Sequence, residues 1–283
     1  MNPEGKIVSE RPYSKKEDED NFVSNYDKNN RINLKEDKAY HITGEAFSRH
    51  WVLLIKLQMH SPSLIRLIKD KYQATVTQFF TALFAYSIYR ESVDFVGKKK
   101  PIKVFIPVNL RPFFDSVTLR NFSLYIRTSY EDSRKWTFDE ILEVTKVQFK
   151  EQLIKEELQG RISALVGFEK NVLIRILPLV LKTIAFKIGY NILGDSVSTV
   201  SFSNLGIVDL PEDLKPKVID ADFVNAGYGI TLTAISIHEK MNLLLASPLK
   251  DLSTINHFIQ FLVNEGLDVT IDNHYREGYD EIL

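Results

Sequence analysis

Val197-Ser198-Thr199-Val200-Ser201-Phe202-Ser203-Asn204-Leu205-Gly206 is the stretch from which the fold is read. Val197 to Phe202 is rich in β-branched and small residues and predicts a short strand. Ser203 to Gly206 predicts the break that ends it, since Asn tolerates left-handed backbone and Gly supplies positive φ. Two readings of Ser203 and Asn204 follow. They form a polar turn, or they direct a hydroxyl and an amide into a cleft as donors for an oxyanion. Thr199 and Ser201 alternate with Ser203, so the three can share one side of the strand.

Working outward, Pro211 and Pro216 bracket a loop. Val218 to Val224, Gly229 to His238 and Met241 to Ala246 read as strands, the last two a hairpin turning at Glu239-Lys240. Ser253 caps a helix to about Asn264, and Leu267 to Ile271 returns as a strand. Upstream, His41 to Thr43 and Trp51 to Met59 read as strands with Gly44 near their turn. Ser61-Pro62 opens a short helix with proline at its first position. Thr75 with Gln78 is a capping-box pair for a second helix, apolar nearly all round through Phe79, Phe80, Leu83, Phe84, Tyr86 and Ile88, and so expected to be buried. Ile102 to Val108 and Phe122 to Tyr130 are further strands, and Thr137 with Glu140 caps the next helix. Strands and helices alternate but include hairpins, which predicts an α/β fold: a mixed β-sheet covered by helices.

Two regions stand apart. Residues 1–40 carry 17 charges, including the block Lys15 to Asp20, and form a charged linker or arm, or a plain exposed tail; the remaining domain is 41–283. Residues 171–193 are the most apolar run, with Pro178 expected to kink the helix and Gly194 to stop it. That run is a buried core helix, a lipid-surface helix, or a wall against a partner.

Composition excludes several classes. With no cysteine, a disulfide framework, a thiolate metal site and a thiol nucleophile are ruled out, and a cytoplasmic location is expected. A formal net charge of −1 gives no electrostatic reason for a nucleic-acid partner. No uncharged apolar stretch is long enough to span a membrane. The six histidines, His41, His50, His60, His238, His257 and His274, are isolated, with no HExxH or paired carboxylate spacing, so no metal is expected. GxGxxG, GxxxxGK[ST] and GxSxG are all missing from the sequence.

Pro107-Val108-Asn109-Leu110-Arg111, then Leu119-Arg120-Asn121-Phe122, then the Ser201–Gly206 stretch, in that order and spacing, resemble the C-terminal part of a CoA-dependent acyltransferase. That superfamily includes chloramphenicol acetyltransferase, alcohol acetyltransferases and peptide-synthetase condensation domains, and the alcohol acetyltransferase branch is the nearest in outline. The resemblance implies a chloramphenicol acetyltransferase-like C-terminal subdomain. It implies transfer of an acyl group, acetyl by expectation, from acyl-CoA as cosubstrate to a small alcohol or amine, with no bound cofactor. Ser203 and Asn204 would position or stabilise the intermediate. Asn109, Arg111, Asn121 and Ser201 would shape the CoA channel, although Arg120 stands where the family has glycine. The family's base is a histidine in HHxxxDG, and this chain has neither that motif nor any Asp-Gly dipeptide. The expectation is that Met1 falls just downstream of the motif and that the chain alone is inactive or very slow; a truncated chain, a late start site, a separately encoded N-terminal half and a non-catalytic paralogue are the alternatives. The alternative is a non-catalytic module binding acyl-CoA or an acyl carrier.

Overall fold

Contacts divide the chain into two compact units: Met1–Leu34 with Val108–Leu124 and Leu153–Pro178, and Lys35–Pro107 with Tyr125–Gln152 and Leu179–Leu283. The computed structural model describes residues 14–48, 51–91, 100–131, 135–171, 176, 178–179, 183, 195–225 and 229–273. In chain order its main elements are α1 (Asn21–Ser24), β1 (Leu53–His60), α2 (Ser61–Tyr72), α3 (Val76–Glu91), β2 (Ile102–Asn109), α4 (Arg111–Phe114), β3 (Ser123–Tyr130), α5 (Phe138–Gln152), α6 (Lys155–Glu169), β4 (Val200–Ile207), β5 (Thr231–Ile237), β6 (Lys240–Ser247), α7 (Ser253–Asn264) and β7 (Thr270–Asn273). Among the described residues no helix is long and apolar enough to cross a membrane. The expected apolar helix over 171–193 lies mostly outside the described residues; Ile176 and Leu179, which are described, are exposed.

The larger unit carries a mixed sheet in the order β3-β2-β4-β5-β6-β1-β7. β4 runs parallel to β2 and β5, whereas β6 is antiparallel to β5 and β1, and β7 antiparallel to β1. The expected α/β architecture is therefore present. Helices cover one face. α3 is buried almost all round, and its Phe80 stacks on Phe258 of α7 and meets Phe202 of β4 edge-on. Phe79 reaches Phe138 of α5. Aromatic rings thus join three helices to the sheet, each burying a large apolar area.

Both capping boxes form. Thr75 N–H donates to Gln78 Oε1 (2.9 Å) and Gln78 N–H to Thr75 Oγ1 (3.2 Å). Thr137 N–H donates to Glu140 Oε2 (2.8 Å), with Glu140 N–H returning to Thr137 Oγ1 (3.3 Å). Each satisfies backbone donors that a helix start leaves free.

The edge strand β3 is closed by side chains. Gln148 exchanges two hydrogen bonds with the backbone of Ser129 (both 2.8 Å). Gln152 does the same with Arg127 (3.2 and 2.8 Å). The two amides take the place that a neighbouring strand's peptide groups would hold.

Three expected strands change. Residues 41–43 form none: this segment approaches the sheet only at isolated points, such as Tyr40 N–H to Pro101 O (2.8 Å) and an Ala46–Leu249 bridge. Residues 218–224 form none either, because their carbonyls accept from side chains instead of a ladder: Val218 O from His238 Nε2 and Ala221 O from Asn242 Nδ2, both at 2.8 Å, and Phe223 O from the Thr233 hydroxyl. β4 does not end at Phe202 but continues to Ile207, with a register shift between Asn204 and Ile207 where Gly206 takes φ +78°. Such a bulge absorbs one extra residue and lets the strand go on.

The smaller unit has its own core of Leu110, Phe122, Leu124, Leu158, Ile162 and Val166. Helix α6 contributes three of these. A Cβ on its Gly160 would come 2.7 Å from Ile32 Cγ2, so glycine there permits a close approach by the N-terminal segment.

Candidate functional site

The expected site residues fall in both units. In the smaller unit, Asn109 Oδ1 accepts from Arg111 N–H (3.2 Å) and Nη1 (3.1 Å). Arg111 Nε donates to Thr118 O (2.8 Å) and Nη2 to Arg120 O (2.7 Å). All three guanidinium nitrogens are thus engaged, and the planar fork of arginine suits such multiple carbonyl contacts. Asn121 Oδ1 accepts from Ser123 Oγ at 2.8 Å. Asn109 and Arg111 therefore stand together, clamping the loop that leads to Asn121. In the same unit Leu119 N–H donates to Glu17 O (2.8 Å), and the buried Thr118 hydroxyl lies 2.8 Å from Glu19 O. The charged N-terminal segment is docked on that loop.

In the larger unit, Ser201 pairs with Thr231, Ser203 with Thr233 and Asn204 with Ala234. Successive strand residues point to opposite faces. Asn204 lies on the helix side, donating from Nδ2 to Thr77 Oγ1 of α3 (3.1 Å) while Oδ1 accepts from Gly206 N–H (2.8 Å). Its amide fastens the β4 bulge to the start of α3. Ser201 and Ser203 lie on the other face, partly exposed, with Thr231 and Thr233 beside them. Alternation along β4 places the two serines on one face and Asn204 on the other.

Four of the six histidines are described. His41 is exposed. His60 Nδ1 lies 2.8 Å from Ser63 Oγ, His238 donates to Val218 O, and His257 Nε2 is 3.6 Å from Glu91 Oε2.

A polar cluster that sequence alone does not reveal lies on the same face. Lys56 of β1 bonds Asp220 (2.7 Å) and Asp222 (2.8 Å). The fully buried Asn242 of β6 donates to Asp220 (2.6 Å) and Asp222 (3.1 Å). Burial alone would raise the Asp220 carboxyl, but hydrogen bonds from Lys56, Asn242 and Ala221 N–H outweigh it and hold it at about 2. Burial likewise pushes the Lys56 ammonium down, and the two aspartates more than offset it, leaving it above its ordinary value. Alternation in β1 and β6 was the available signal, and the partners at 220 and 222 were hidden by their reading as a strand.

No family model and no curated protein matches the chain in sequence. Solved structures do match in shape. Trichothecene 15-O-acetyltransferase TRI3 from Fusarium sporotrichioides superposes with TM-score 0.55 at 11% identity, over 80% of this chain and 48% of its own. The epimerization domain from the third module of tyrocidine synthetase B gives TM-score 0.47 at 11% identity, over 89% of this chain and 56% of its own. Vinorine synthase gives 0.46 at 10% identity, over 72% and 46%. The chain spans about half the length of these structures. With a mixed sheet in the order described and helices on one face, the chain shares the fold of that acetyltransferase.

Proposed function

We propose that this chain forms part of a CoA-dependent acyltransferase that moves an acetyl group from CoA to a small alcohol or amine, with the base supplied by residues outside its 283. The observation that carries the reading is the superposition on an acetyltransferase over 80% of the chain, joined to the lack of HHxxxDG in the sequence. In the reaction the acceptor oxygen or nitrogen attacks the thioester carbonyl, its proton goes to the base, the C–S bond breaks and the CoA thiol leaves protonated. Ser203 donates to the oxyanion that forms, and Ser201 lines the path beside it. Asn204 acts as a positioning residue through the β4 bulge. Asn109, Arg111 and Asn121 hold the loop framing the CoA channel. On this reading the chain works in the cytoplasm, with which its cysteine-free composition is compatible.

A second reading, a non-catalytic module for acyl-CoA or an acyl carrier, draws on the histidines. His60, His238 and His257 each serve a structural contact on the surface. Free-thiol release from acetyl-CoA, measured with short alcohols and amines, tests both. The chain alone should release none, and adding a polypeptide that bears HHxxxDG, encoded beside it, should start turnover. Turnover by the chain alone would refute the external base. Silence in both, with acetyl-CoA still bound in calorimetry, would favour the second reading.

A further inference from the structure

On the face of the larger unit's sheet opposite α3, α5 and α7, two irregular segments are docked. Residues 35–40 lie at one side, where Glu36 pairs with Arg127 and Lys103, and Lys103 Nζ donates to Asp37 O at 2.8 Å. Residues 218–225 lie at the other, held by Lys56, Asn242, Thr231 and Thr233. The side chains under these segments are buried: Lys103 and Arg127 at 7%, Thr231 at 5% and Thr233 at 1% exposure.

Between the two segments runs a strip that stays partly exposed, made of Tyr125 on β3, Phe105 on β2, and Ser201 and Ser203 on β4. Phe105 is in register with Ser201, so a ring and a hydroxyl sit one strand spacing apart, about 4.8 Å. Ser203 follows two residues on, about 6.6 Å along the strand. The Phe105 and Tyr125 rings lie 4.9 Å apart at 31°. The Arg127 guanidinium stands 4.3 Å from the centroid of Tyr125. Among the described residues neither serine hydroxyl has a hydrogen-bond partner. The strip therefore offers a flat apolar surface beside two uncommitted hydroxyls.

We infer that this strip binds an alcohol with a flat apolar body, its ring on Phe105 and Tyr125 and its hydroxyl at Ser201 and Ser203. The role of that alcohol as acyl acceptor rests on the proposed acyl transfer; its binding does not. An aromatic body is favoured over a saturated one because offset and edge contacts between rings add to area burial.

Ligand-observed NMR titration of the 283-residue chain with benzyl alcohol, toluene and cyclohexylmethanol tests this. Benzyl alcohol should bind about three- to tenfold more tightly than either of the others. Phe105→Leu keeps the apolar bulk and should reduce the preference over cyclohexylmethanol. The double variant S201A/S203A should weaken benzyl alcohol about tenfold and leave toluene unchanged. Absence of benzyl alcohol binding, or equal affinity in the parent and both variants, overturns the assignment. The thiol assay separates the two ideas: benzyl alcohol bound without turnover in the reconstituted mixture sinks acyl transfer alone, and turnover of benzyl alcohol with a KM unchanged by Phe105→Leu sinks the strip alone.

Discussion

Asp220 shows how one side chain can substitute for a strand. Its carboxylate meets Lys56, Asn242 and its neighbour's N–H, and these contacts anchor a segment with no ladder of its own. Its folded value of about 2 lies below the roughly 3.9 of an unfolded aspartate. The sign follows: its contribution is complete above about pH 4 and is lost as pH falls toward 2. Urea midpoints measured across that window should fall for the parent chain. Asp220→Asn should be less stable at pH 7 by about 1 kcal/mol, a modest figure because the pair is partly solvated, and should respond less to acid between pH 4 and 2. An unchanged acid limb in the variant would assign the loss to other carboxylates.

At the scale of elements, the β3 edge depends on a match of two repeats. Residues four apart on a helix rise about 6.0 Å, and residues two apart on a strand about 6.6 Å, so Gln148 and Gln152 of α5 can each serve one outward-facing residue of β3. Replacing both by alanine frees two N–H and two C=O groups, which is a template for pairing with another chain. Light scattering should then show concentration-dependent association beyond that of the parent; identical scattering would mean the edge is protected by something else. The two capping boxes were legible because their partners sit three residues apart in sequence. Helix α6 was not, because Gly160 and Gly167 interrupt its pattern; both admit the N-terminal segment, with Arg31 Cζ 2.9 Å from a Cβ built on Gly167. Residues 218–224 have the composition of a strand, but β5 already pairs with β4 and β6 on its two edges, leaving only its face.

In the molecule as a whole, stability is concentrated where α3, α5 and α7 meet the sheet. Phe79, Phe80, Phe84, Phe202 and Phe258 are all fully buried. Phe80→Ala removes a ring that touches both α7 and β4, and should cost about 3–5 kcal/mol, read as a lower urea midpoint; a loss below 1 kcal/mol would mean the cluster repacks. An aromatic-rich core was readable from composition and from the all-round apolar α3. The two serines were readable from alternation, but Phe105 and Tyr125 were not, since only the order of strands brings them beside residue 201. In β3, β2, β5 and β4 up to Asn204, odd-numbered positions face the open side and even-numbered positions face the helices. The exposed strip and the packed core are thus interleaved along the same strands. A point change at an exposed odd position such as Phe105 or Ser201 alters that surface while the interior keeps its fit, whereas the odd positions under the docked segments, Lys103, Arg127, Thr231 and Thr233, are buried and do not have that freedom. A one-residue insertion early in β4 would instead exchange the two roles at once, turning hydroxyls inward and Phe202 outward.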